Sequence, residues 1–377
     1  MPARDPYRVL FPTGVAFALL GAALWPLALV ARIPYPGTLH ASLMIEGFEL
    51  SFISGFLLTI LPRITRTDPT GATVTNAALA LLVSFGAAAL AGQLAVAHGC
   101  ALLLLLLLAS VMLRRVRAHK NDPPQEIVFA PFGLLLGIAG AALQLATAAA
   151  WLVEPGPRFG IRLMSLGMVL AMVLGFGTLL VPVFLEIKDP LVIPKIARPH
   201  ERPARRAIYL ALAISLVLTF VADGAGAAAV GAFGRAVLAS LVLGLGWKIW
   251  RRPGRRTFPA AVLWSSGWMI GAGLWAAALL PLHTVAALHV VLLGGFGALT
   301  LGIASRVVVT HGGHGPDREA RLVTPARAAL LAFALAARLA AEADPGHAPG
   351  WLAAAGIAWI LAWAGWSVAA RSLFRAV

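Results

Sequence analysis

One cysteine, Cys100, stands in the whole chain. That count excludes a disulfide framework and a thiolate metal cluster. Charge is scarce as well, at 12% of residues, where a soluble domain carries about 25%. Acidic groups are scarcer still, 15 against 30 basic ones. No P-loop and no nucleophile motif is visible. What fills the 377 residues instead is apolar side chain, 60% of the total. This composition predicts an all-α polytopic membrane protein, held as a single transmembrane domain over 1–377.

Twelve apolar segments can be drawn, near 9–31, 38–61, 76–97, 99–114, 127–153, 162–185, 206–222, 227–248, 258–280, 282–306, 323–343 and 350–371. The fourth is the shortest. The basic start, Met1 to Arg8, resembles a signal peptide, but the apolar run after it shows no clear small-residue cleavage site, so it is read as the first helix. Lys and Arg gather in alternate connections. With the N-terminus inside, 25 of the 30 fall on the inner side, while Arg32, Arg158, Arg162 and Arg235 fall in outer loops and Arg338 within the eleventh segment. Both termini are then cytoplasmic, and a bacterial inner membrane is the expected location. The net charge of +15 is explained by topology, so no nucleic-acid partner is expected.

A Gly-Phe pair recurs at Gly55-Phe56, Gly175-Phe176 and Gly295-Phe296, 120 residues apart both times. The first two copies run on alike, to Pro62 and Pro182, then to Asp68-Pro69 and Asp189-Pro190. The spacing suggests three four-helix units, about 1–120, 121–250 and 251–377.

Ionisable groups inside a span are functional candidates. His119, His200, His311 and His314 fall inside, and His98 and His347 in outer loops. His40, His283 and His289 lie in the outer half of the second and tenth segments. Small residues (Gly47, Ser51, Ser54, Gly55) continue the His40 stripe at 3.6-residue spacing. That relief suits either helix packing or a flat macrocycle with a histidine above it as axial ligand. His283 stands 23 residues before Arg306, as His40 stands 23 before Arg63, so depth pairs His40 with His283. His289 lies about 9 Å deeper. Glu46 and Glu49 lie about 120° and 180° from the stripe and suit proton relay, cation binding or a neighbouring helix. The Met164, Met168, Met172 stripe suits packing more than Cu(I). His311-Gly312-Gly313-His314 reads as a polar turn more than a metal site.

These residues carry a resemblance. His40-Ala41-Ser42-Leu43-Met44 … Gly47-Phe48 … Gly55-Phe56-Leu57-Leu58-Thr59 … Pro62 resembles the NnrS family, whose segment reads His-Ala-His-Glu-Met … Gly-Phe … Gly-Phe-Leu-Leu-Thr … Pro. Leu288-His289 … Gly294 … Gly297 … Leu301 … Arg306 … His311 … Gly313 is similar to that family's His-Leu … Gly … Arg … Gly-His-Thr-Gly-Arg. Ser42 and Leu43 replace the motif's second histidine and its glutamate, and His314 its last arginine. The resemblance implies a bacterial inner-membrane protein with haem b and copper, linked to nitric oxide and denitrification, with a redox or nitric-oxide-metabolising activity. It ranks His289 above His283; depth ranks them the other way. Arg32 and Arg158 would pair with haem propionates. The layout also resembles the haem-copper oxidase main subunit, but the sixth segment has no histidine for copper. The competing expectation is a twelve-helix secondary transporter without a redox cofactor.

Overall fold

The computed structural model describes residues 5–31, 34–120, 122–152, 156–187 and 202–375. Arg32, and with it Lys188, Asp189-Pro190, Lys195, Arg198 and His200, lies outside the described residues. Among those described, the regular structure is helical. Eleven helices are long and apolar enough to cross a membrane. They are α1 (Tyr7–Ala31), α2 (Gly37–Thr65), α3 (Ala72–Leu90), α4 (Leu94–Arg117), α5 (Gln125–Ala148), α6 (Arg158–Phe184), α7 (Pro203–Gly224), α8 (Ala228–Trp247), α9 (Phe258–Leu279), α10 (Pro281–His311) and α12 (Pro345–Phe374). The eleventh expected segment is also a helix, α11 (Pro325–Ala343), but Arg327, Arg338 and Glu342 make it more polar than the others.

Three boundaries correct the sequence expectation. Helix α4 has 24 residues, starts at Leu94, and is longer than the 19-residue α3. Its early start follows from Gly92, which turns the chain in the left-handed region at φ +73° without a Cβ penalty. His98 is therefore a helix residue, 4% exposed, and not part of an outer loop. Arg235 likewise sits buried within α8, and Arg158 and Arg162, expected in an outer loop, both lie in the first turns of α6.

Two units emerge: one from the described residues of 1–17, 38–176 and 201–220, the other from those of 18–37, 177–200 and 221–377. Lipid is as apolar as leucine, so helices in a bilayer hold together by close packing rather than by water exclusion. The first unit shows how. A methyl group added at Gly137 of α5 would stand 2.7 Å from Met168 Sδ. One at Gly140 would stand 2.7 Å from both Met164 Cγ and the Gly160 carbonyl, and one at Gly133 would stand 2.9 Å from Ala171 Cβ. The methionine stripe of α6 thus fills a glycine groove on α5, which is packing.

In the second unit, tryptophans fill the interior. Trp247, Trp363 and Trp366 are fully buried, and the Trp366 indole donates to Ser305 Oγ at 2.8 Å. Arg327 donates to the carbonyls of Arg321, Leu322 and Gly365, tying the first turn of α11 to α12. At the Arg306 end of α10, Glu319 takes both Arg306 (2.7 Å) and Arg255 (3.3 Å).

The 120-residue spacing has backbone counterparts. A π-helical turn covers Leu43–Glu49 in α2 and Leu163–Val169 in α6, in the same register. Arg66 and Glu186, also 120 apart, both take the left-handed conformation, at φ +50° and +52°. Ser51 and Phe52 face Gly14, and Ala171 and Met172, 120 residues on, face Gly133, itself 119 residues beyond Gly14. Helix α10 departs: its π segment, Val290–Gly297, covers Gly295-Phe296 itself.

Candidate functional site

Helices α2 and α10 carry the candidate histidines, and neither is a uniform α-helix. The first runs α over Gly37–Ser42, π over Leu43–Glu49 and α again over Leu50–Thr65. The second opens with a 3₁₀ turn, Pro281–His283, then runs α over Thr284–His289, π over Val290–Gly297 and α over Ala298–His311. A π turn bonds i to i+5. Facings and depths counted on an ideal α-helix therefore drift beyond Leu43 and beyond Val290.

His40 is half-buried in the first turn of α2. The relief below it is taken: Phe17 covers Gly47, and Phe11 covers Gly55, with a Cβ at either glycine falling 2.6 Å and 2.9 Å from those rings. Ser54 Oγ donates to the Leu50 carbonyl. These small residues serve packing against α1, so a flat group does not fit along that stripe.

Glu46 and Glu49 are both buried, at 0% and 5% exposure. The Glu46 carboxylate accepts from His98 Nδ1, at 3.0 and 2.8 Å to its two oxygens. Ser42 Oγ and Ser51 Oγ are buried without hydrogen-bond partners among the described residues. His98 is the residue that sequence reasoning missed. The cost of Glu46 inside a span was the available signal, since such a group needs a partner; nothing in the sequence named which.

On α10, His283 is exposed in the 3₁₀ turn and its Nδ1 meets Glu342 Oε1 of α11 at 3.0 Å. His289 is half-buried, one residue before the π segment. Its Nδ1 donates to the Val285 carbonyl at 2.7 Å, which places the lone pair of a neutral ring on Nε2. An imidazole held this way has the outer-shell contact that metal-ligating histidines usually have.

Other expected groups are less placed for binding. Arg158 is exposed, and Arg32 is not among the described residues. His311 Nδ1 meets Thr310 Oγ1 at 3.1 Å, and His314 folds back beside Gly312, a polar turn. Among the described residues no three His, Cys, Asp or Glu side chains are grouped as metal ligands.

Eleven apolar helices with histidines and carboxylates set inside them define a multi-pass, all-α membrane protein. The chain belongs to the NnrS protein family, whose model matches residues 3–376. No curated protein matches it in sequence.

Proposed function

We propose that the protein binds haem b through a histidine and acts in nitric oxide handling or electron transfer at a bacterial inner membrane. Family membership over residues 3–376 supports the cofactor class. The observation that carries the reading is His289, whose Nδ1–H is committed to the Val285 carbonyl. That bond orients the ring and raises the basicity of Nε2. His289 would hold the iron; His40, the other candidate on the family's motif, has the space below it taken by Phe17 and Phe11. Bound haem supplies one-electron chemistry and an iron site for a diatomic such as nitric oxide. The protein's own part is to orient the imidazole and to keep it in an apolar span.

Copper fits less well, because no grouped donor set exists among the described residues; elemental analysis of the purified protein tests it. Absorption spectroscopy of the full chain in detergent, after haem supplementation, tests the main reading. A Soret band that His289→Ala removes, with the variant still monodisperse, is the expected result. Absence of any Soret band in the unmodified protein would overturn the proposal.

A further inference from the structure

The π turns of α2 and α6 cover matching residues, Leu43–Glu49 and Leu163–Val169. Where the first has Glu46 and Glu49, the second has Leu166 and Val169, 120 residues on, buried at 4% and 2%. The same backbone thus forms with aliphatic side chains at both places. The carboxylates are not needed to build the turn, and burying them is costly where leucine and valine are not.

We propose that Glu46 and His98 form a proton-binding site inside the membrane, loaded and emptied at His98 Nε2. His98 Nδ1 is committed to the Glu46 carboxylate. Nε2 has no hydrogen bond among the described residues, although the side chain is only 5% exposed. In one state a neutral imidazole donates through Nδ1 to a carboxylate, and the pair carries −1. A proton from water adds at Nε2, giving imidazolium beside carboxylate with net charge zero; its loss returns the first state. No oxidant or second reactant is required. The buried Ser42 Oγ, without a partner among the described residues, lies four residues before Glu46 and provides a polar neighbour for water on the same element.

Few other titratable groups face the pair. Helix α3 and the π turn Leu163–Val169, both packed on this segment, carry no titratable side chain. Helix α4 carries His98 and Cys100 before its final basic turn of Arg114, Arg115 and Arg117. Gly47 packs on α1 through Phe17, and the titratable residues of α1 are Tyr7 and Arg8, at its far end. Helix α2 itself adds His40, Glu49 and, at its end, Arg63. His98 is the fifth residue of α4 and Glu46 the tenth of α2, so the pair lies about one to three turns from the ends at which those helices start.

pH-difference infrared spectroscopy of the full chain in lipid, with and without deuterium exchange, tests the site. Imidazole ring bands and a perturbed carboxylate band should appear together in the unmodified protein. His98→Asn should remove the slowly exchanging imidazole component together with the perturbed carboxylate band, leaving the bands of the other eight histidines, Glu46→Gln should remove the carboxylate part alone, and potentiometric titration should count one proton fewer in His98→Asn. Glu49→Gln should leave these bands in place. A difference spectrum unchanged by His98→Asn would overturn the proposal. So would bands that answer to sodium at fixed pH, which mark a cation site. If His98→Asn does not fold, the unmodified protein still decides: no slowly exchanging imidazole band that changes together with a perturbed carboxylate band means no such site.

Discussion

The Arg235 guanidinium and the Asp223 carboxylate meet at 2.9 Å with 6% and 2% of their side chains exposed. They join the end of α7 to α8 across a turn at Gly226, φ +85°. Removing one partner leaves a buried charge alone, at a cost of about 3–5 kcal/mol, whereas replacing both with apolar groups of similar volume is often near neutral. Asp223→Ala or Arg235→Ala should therefore lower thermal stability in detergent steeply, and the Asp223→Leu/Arg235→Leu double variant should recover most of it. A circular-dichroism melt reads both. Equal losses in singles and double would show that the charges themselves matter.

Glycine packing gives a graded expectation. Alanine at Gly140 meets the Gly160 carbonyl, a backbone atom that cannot swing aside, at 2.7 Å. Overpacking of this kind costs about 1–3 kcal/mol. At Gly137 the same distance is to Met168 Sδ, and a methionine side chain re-packs readily. Gly99 has open space around its would-be Cβ, so alanine there should be harmless. Melting temperatures in the order Gly99→Ala, Gly137→Ala, Gly140→Ala, highest first, are expected.

Much of this architecture is legible in the sequence because a bilayer leaves few choices. A long apolar run must become a helix that satisfies its own backbone, so the twelve drawn segments all fall on helices; eleven of them are apolar enough to span, and the eleventh segment, with Arg327, Arg338 and Glu342, is not among those eleven. The π turns were not legible. They depend on how a helix seats against its neighbours, and the Leu, Met and Gly that Leu43–Glu49 and Leu163–Val169 share at matching places are residues an ordinary α-helix also takes. Contacts between distant residues were hidden for the same reason. Glu46 and His98 are 52 positions apart, and no local pattern links them.

The turn before α12 should be acid-sensitive. Asp344 accepts from the Trp351 indole at 3.1 Å and from His347 Nδ1, and these bonds hold its carboxyl below the usual carboxylate range. A depressed carboxyl contributes stability that is present above the unfolded value, about 3.9, and that fades as pH falls through the lower folded value. The Trp351 indole N–H resonance, assigned through Trp351→Phe, should hold steady from neutral pH down to about pH 4 and move below it. Asp344→Asn should remove that movement.

His283 and His289 should separate in experiment. The His283–Glu342 contact is 3.0 Å, but His283 is 60% exposed, and exposed pairs contribute about 0–1 kcal/mol. His283→Ala should thus leave the melting temperature nearly unchanged and leave any haem absorbance intact. His289 differs in kind, since its ring is tethered within its own helix to Val285 and half-buried in a span. His289→Gln keeps size and polarity but cannot offer an imidazole nitrogen to iron. That variant should fold as the unmodified protein does and lose the Soret band. A band kept in His289→Gln and lost in His283→Ala would move the ligand to the 3₁₀ turn, and would restore the depth pairing of His283 with His40 as the better guide.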